Sequence, residues 1–205
     1  EYANRLRKNF RNAYRDYPEA GFHRMLNANV AEIGKGICEL PWVWLRPLNQ
    51  VLGSVKICHG AEYLEAARSR GAGIIMLTPH LGCFEITAQY LSAFGDITVL
   101  YRAPKSAAAQ ELILMGRKRG QLHLAPADLS GVRSLIKALK KGEMVGMLPD
   151  QAPKTGEGVW LKFFGRDAYT MTLAARLADR NPYVRMSAAE ALARYYAEGA
   201  PADWQ

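Results

Sequence analysis

From residue 55 onward, short apolar runs alternate with longer amphipathic stretches, and this alternation predicts an α/β fold in which a sheet of buried strands is flanked by helices. Strands are expected near residues 55–59, 73–78, 97–102 and 144–148, and helices near 61–70, 82–94, 107–119 and 129–141. At 205 residues with 49% hydrophobic content, the chain is long enough to bury one substantial core. Its ten tyrosines and six phenylalanines exclude a largely disordered chain.

Two helices are expected ahead of the sheet, the first of them amphipathic. The first, about residues 2–17, carries Tyr2, Leu6, Phe10, Tyr14 and Tyr17 on one face and Arg5, Lys8, Arg11 and Arg15 on the opposite one. That pattern suits a surface helix docked on the core and also a face that meets anionic headgroups. A second helix is expected over residues 20–34, breaking near Gly36. The segment Pro41-Trp-Val-Trp-Leu-Arg-Pro47 is not expected to be regular helix, because two prolines bracket it. It reads as a hydrophobic plug over the core or as a contact with a bilayer interface.

A net charge of +8 favours an acidic partner, whether nucleic acid, an anionic membrane or an acidic protein. Nucleic acid is the weakest of the three, since no helix-turn-helix, zinc-finger or RNA-binding motif is present and the arginines follow strand ends. Cys38, Cys58 and Cys83 lack paired short spacings, so neither a disulfide framework nor a zinc site is expected. No apolar run approaches the roughly 18 residues needed to span a bilayer.

The stretch Thr78-Pro-His-Leu-Gly-Cys-Phe-Glu85 carries the candidate chemistry. An apolar strand empties into a turn at His80, and Glu85 is expected about one turn into the following helix. A histidine at such a junction can hold one ring nitrogen on a hydroxyl while a carboxylate accepts from the other. Spacing alone leaves three other readings open. His80 can be structural with Glu85 complementing a helix N-terminus, Cys83 can be a nucleophile activated by His80, or the three residues can be metal ligands.

His80-x-x-x-x-Glu85 is followed in order by Tyr101-Arg102-Ala-Pro-Lys105, Arg117-Lys-Arg-Gly120, Leu148-Pro-Asp-Gln151, and Phe163-Phe-Gly165 with Thr170-Met-Thr172. These blocks resemble the late acyltransferases of lipid A biosynthesis, the lauroyl and myristoyl transferases within the lysophospholipid acyltransferase superfamily. The resemblance spans about residues 4–178 and implies an acyltransferase-type sheet flanked by helices. It implies that His80 acts as general base on an acceptor hydroxyl, that Glu85 orients it, and that the donor is the thioester of an acyl carrier protein. Arg102, Arg117, Arg119, Asp150 and Gln151 are then expected to bind substrate, with no metal and no cofactor. Pro79 departs from the Asn or Asp that often precedes the family's histidine. Phe163 to Gly165 are expected in a mobile or lipid-facing lobe.

The resemblance further implies a lipid A precursor as anionic acceptor and peripheral association with the cytoplasmic face of the bacterial inner membrane. Another glycolipid or lysophospholipid acceptor, or an inactive lipid- or carrier-binding remnant, are the alternative functions. The expected domain covers residues 1–180, without the family's N-terminal membrane anchor and last part of its sheet. Residues 181–205 then form a tail atypical for the family. Its Asn181-Pro182 start and amphipathic run to Arg194 resemble one helix of a HEAT-type repeat.

Overall fold

The computed structural model describes residues 2–163 and 165–180 and has the α/β architecture expected. The helix expected from Asn181 lies outside the described residues. The described residues open with α1 (Tyr2–Ala13), α2 (Glu19–Leu45) and α3 (Leu48–Gly53). Then follow α4 (Ala61–Ser69), β1 (Ile74–Leu77), α5 (Glu85–Leu91), β2 (Ile97–Tyr101), α6 (Ala107–Arg117), β3 (Leu122–Pro126), α7 (Leu129–Lys140) and β4 (Met144–Met147). A hairpin of β5 (Gly158–Phe163) and β6 (Arg166–Met171) leads into α8 (Leu173–Arg180).

The four-stranded sheet has the order β1-β4-β2-β3, and every pairing in it is parallel. Strand β4 arrives last and enters between β1 and β2, with all four of its residues buried. Period-two alternation sorts its side chains. Val145 and Met147 join Leu135, Leu139 and Leu177 on the face covered by α7 and α8. Met144 joins Leu91, Ile97 and Leu122 on the other face. Each such fully buried aliphatic side chain stabilises the fold by about 1.5–3 kcal/mol relative to exposure.

Four sequence expectations are corrected here. Residues 55–59 form an irregular link, with Ile57 72% exposed, because an alternating pattern becomes a strand only where a neighbouring strand is available. Strand β3 was not expected, being short and containing His123 and Pro126; it occupies the sheet edge, where proline is tolerated. The hairpin β5–β6 was not expected either. The fourth is α2, which continues unbroken through Gly36 and Pro41 to Leu45.

Tertiary contacts override the local breaker in α2. Proline removes one helical hydrogen bond, but the end of α2 is fastened to α6. The Arg119 guanidinium donates to the carbonyls of Val43 at 2.8 Å and Trp44 at 3.1 Å, and also to that of Arg46. Trp44 lies against Gly116, where an added Cβ would sit 2.3 Å from the indole Cγ. Gly116→Ala therefore forces this helix pair apart. An overpacking loss of about 1–3 kcal/mol is expected, read as a lower urea midpoint; an unchanged midpoint would show that the contact is slack.

Candidate active site

The register of β1 on β4 builds the site. Leu77 is paired with Met147, and the Thr78 N–H donates to the Met147 carbonyl at 3.0 Å, carrying the ladder one residue further. His80 and Asp150 each follow three residues beyond that pair, at the carboxyl ends of adjacent strands. Open α/β sheets place ligands at this edge, where strand order reverses.

Both Asp150 oxygens are engaged by His80. Oδ2 accepts the His80 main-chain N–H at 2.7 Å, and Oδ1 lies 2.7 Å from Nδ1. An ionised carboxylate can only accept, so this contact assigns the ring proton to Nδ1 and leaves Nε2 unprotonated, as an acceptor. The Gln151 side-chain amide sits 3.1 Å from Nε2 and donates to it. Phe84 braces the ring edge to face, with centroids 4.8 Å apart.

Burial alone would raise the Asp150 pKa, but the hydrogen bonds from the His80 main-chain N–H and ring N–H and the electrostatic attraction of that ring together hold it below the ordinary aspartate range. The folded value therefore lies below the unfolded one. The contact stabilises the fold above the ordinary aspartate range, and this contribution fades as pH falls through the lowered value.

Glu85 does not take the place expected for it beside His80. It opens α5 rather than lying a turn inside it, and its side chain is only 6% exposed. The turn at residues 81–84, with Gly82 in the left-handed region at φ 56, separates the two residues' directions. Glu85 accepts from Arg117 Nε at 2.9 Å, from Arg117 Nη2, and from the Trp44 indole N–H at 3.0 Å. Asp150 occupies the position at His80 that the sequence assigned to Glu85.

Two of the arginines expected to bind substrate are likewise engaged inside the protein. Arg117 pairs with Glu85, and Arg119 fastens the end of α2. Arg102 follows the last residue of β2 and borders a cavity of about 500 Å³ that Gln151 also lines. A smaller cavity of about 90 Å³ lies between the sheet and α5, lined by Met76, Leu91, Val99 and Leu122, with Glu85 and Arg117 as its charged members.

The geometry also bears on the other readings of residues 80–85. Burial first, and then the nearby Glu39 carboxylate, push the Cys83 thiol up, which disfavours the thiolate a nucleophile requires. Among the described residues, no group of three His, Cys, Asp or Glu side chains is placed to hold a metal. A second acid–imidazole pair, Asp96 with His123 at 2.6 Å, lies at the opposite edge of the sheet, where β2 and β3 begin.

Sequence reading missed the His80–Asp150 contact and the contribution of Trp44. The first was signalled by two strand ends, Leu-Thr-Pro-His80 and Leu-Pro-Asp-Gln151, but only the strand order shows that they are neighbours. Arg117→Ala leaves the Glu85 carboxylate buried without its counter-ion. Because Arg117 is itself 25% exposed, a loss near the lower end of the about 3–5 kcal/mol for breaking a buried pair is expected. Urea unfolding measures it, and an unchanged unfolding free energy would contradict it.

The sequence matches the family described as bacterial lipid A biosynthesis acyltransferase over residues 1–188. A lipid A biosynthesis acyltransferase of Haemophilus influenzae is 28% identical, with 68% of this chain and 43% of the relative aligned. The lipid A biosynthesis lauroyltransferase of Escherichia coli is 23% identical across 85% of this chain and 56% of its own length. A lipid A biosynthesis palmitoleoyltransferase from the same organism is 23% identical across 71% of the chain and 46% of its own. The chain thus spans about half the length of the curated relatives it matches. With a match that extends over most of its length, the chain belongs to the bacterial lipid A biosynthesis acyltransferase family.

Proposed function

We propose that this chain carries the reaction centre of an acyltransferase that moves a fatty acyl group from the thioester of an acyl carrier protein to a hydroxyl of a lipid A precursor. The observation that carries this reading is the His80 imidazole, held by Asp150 at Nδ1 with Nε2 available as a base.

The acceptor hydroxyl replaces the Gln151 amide at Nε2 and gives up its proton there as its oxygen attacks the thioester carbonyl. The imidazolium that forms is stabilised by Asp150, as a carboxylate stabilises the histidine in other acyl-transfer sites. Collapse of the tetrahedral species breaks the carbon–sulfur bond, and the departing thiolate takes the proton from His80. One ester and one free carrier thiol result, with no acyl-enzyme needed. The main-chain N–H groups near Gly82 are candidates for holding the oxyanion. Glu85, with Arg117 and Trp44, acts on this chemistry by fixing α5 against α2 and α6.

The same reading places the protein on the cytoplasmic face of an anionic bilayer. No helix among the described residues is long and apolar enough to cross a membrane. Hairpin β5–β6 offers Trp160, 68% exposed, and Leu161, 51% exposed, near the cations Lys162 and Arg166. Aromatic side chains beside cations suit a lipid–water interface.

His80→Ala should lower kcat by roughly 10²–10⁴, the usual contribution of a general base, with the fold retained. Asp150→Asn should cost a similar factor because it disturbs the ring tautomer. Mass spectrometry of a lipid A precursor incubated with an acyl carrier protein series measures transfer and chain length together; undiminished transfer by His80→Ala would refute the proposal. Trp160→Ala should weaken binding to vesicles containing phosphatidylglycerol in a sedimentation assay, and equal binding would exclude the hairpin from the contact.

A further inference from the structure

The connection from β4 to β5 supplies Asp150 and Gln151 at its near end, and its far end is fastened by a side chain that the His80 chemistry does not touch. The Tyr169 hydroxyl, on β6, accepts from the main-chain N–H of Gly156 at 2.8 Å and of Gly158 at 3.0 Å. Gly156 is the third residue of a turn closed by the Glu157 N–H on the Lys154 carbonyl at 3.0 Å, and it lies in the left-handed region at φ 88. The Thr172 hydroxyl donates to the Glu157 carbonyl at 3.2 Å, a second tie from the hairpin to this turn.

Strand register brings the phenol to that place. Tyr169 is paired with Trp160, so the two rings stand on one face of the hairpin, with centroids 5.2 Å apart. Gly158 precedes Trp160 by two residues and belongs to the same face. Its missing side chain is the space that the phenol crosses. An added Cβ there would sit 3.1 Å from Tyr169 Cε1 and 2.6 Å from Pro153 Cγ. Pro153 therefore packs on Gly158, and only Ala152 separates it from Gln151. Proline fixes its own φ and holds the residue before it extended, so this link has little slack.

At the near end, Asp150 meets Nδ1 of His80 and Gln151 meets Nε2. Neither belongs to a helix or a strand, and the sheet holds them from one side only, through Met147. A connection anchored at one end can swing, whereas one anchored at both has a defined path. We propose that Tyr169 is a positioning residue for the imidazole: by anchoring Gly156 and Gly158 against Pro153, its hydroxyl sets where Asp150 and Gln151 stand against the two ring nitrogens. The proposal rests on the acyl-transfer reading for the role of His80, but the orientation it describes is measurable without turnover.

Tyr169→Phe keeps the ring against Trp160 and Gly158 and removes only the acceptor oxygen. Side-chain 15N NMR of the full chain reads the histidine tautomers, and His80→Ala assigns the His80 signals among the four histidines. Wild-type His80 should carry its proton on Nδ1. In Tyr169→Phe the share of that tautomer should fall, and kcat for transfer to a lipid A precursor should drop by about two- to tenfold, the net effect of one neutral hydrogen bond. Gly158→Ala displaces Pro153 with the hydroxyl intact and should move the same signals. Val159→Ala, on the other face of β5, should leave tautomer and kcat at their wild-type values. Either readout unmoved in Tyr169→Phe, with or without a lower urea midpoint, makes Tyr169 a structural tie alone and overturns the proposal. An equal change in Val159→Ala also overturns it. A tautomer that responds to Tyr169→Phe, in a protein whose wild-type form transfers no acyl group from any donor, would sink the acyl-transfer reading and leave the positioning role standing.

Discussion

The parallel pairing of β1 with β4 is the constraint on which the site depends. His80 and Asp150 are 70 residues apart and belong to loops that have no other reason to meet. They meet because both loops leave the sheet from paired positions, Leu77 and Met147, at the same edge. That pairing requires β4 to fit between β1 and β2, where space is short. At Gly146 an added Cβ would come within 2.8 Å of a Val99 methyl. The glycine in β4 lets the central strand close on β2 while the same strand delivers Asp150. Orientation and tautomer of the imidazole thus follow from strand packing.

The second support of the site comes from the opposite side of His80. Glu85, Arg117 and Trp44 join α5, α6 and α2 through one nearly buried carboxylate. Such a pair is poor at adding stability, because desolvation offsets much of the attraction. It is better suited to defining one arrangement, since any displacement of these helices leaves a buried charge short of partners. Gly116 against the indole and Arg119 on the α2 carbonyls act on the same junction. The five-residue separation of His80 and Glu85 then acquires a physical meaning. One side chain faces the open edge and the other the helix junction, with the turn at Gly82 between them.

Much of this fold was legible in the sequence, because strands buried in a parallel sheet are written as near-continuous apolar runs. Residues 73–78, 97–102 and 144–148 carry that signal and contain β1, β2 and β4. β3 is an edge strand with a histidine and a proline, and the outer residues of β5 are exposed, so neither has the buried pattern. Strand order has no local signal at all. His80, Asp150 and Gln151 were therefore each identifiable as strand-end residues, but not their contact. The His-x4-Glu spacing suggested a different partner, since nearness in sequence outweighed a register that only tertiary structure supplies.

The arginines show the same distinction in electrostatic terms. Arg117, Lys118 and Arg119 look in sequence like one basic cluster, and a net charge of +8 invites a single cationic surface. The fold divides them by partner instead. Arg117 meets a buried carboxylate and Arg119 meets three carbonyls, so their guanidinium donors are used within the protein. Their charges fasten helices. Arg102, Lys154 and Arg176 are dispersed along the chain and give no cluster, yet the fold sets all three around one cavity, where their side chains have no hydrogen-bond or ion-pair partner among the described residues. A cation serves recognition when its hydrogen-bonding capacity is left for a ligand, and local charge density in the sequence does not report that capacity.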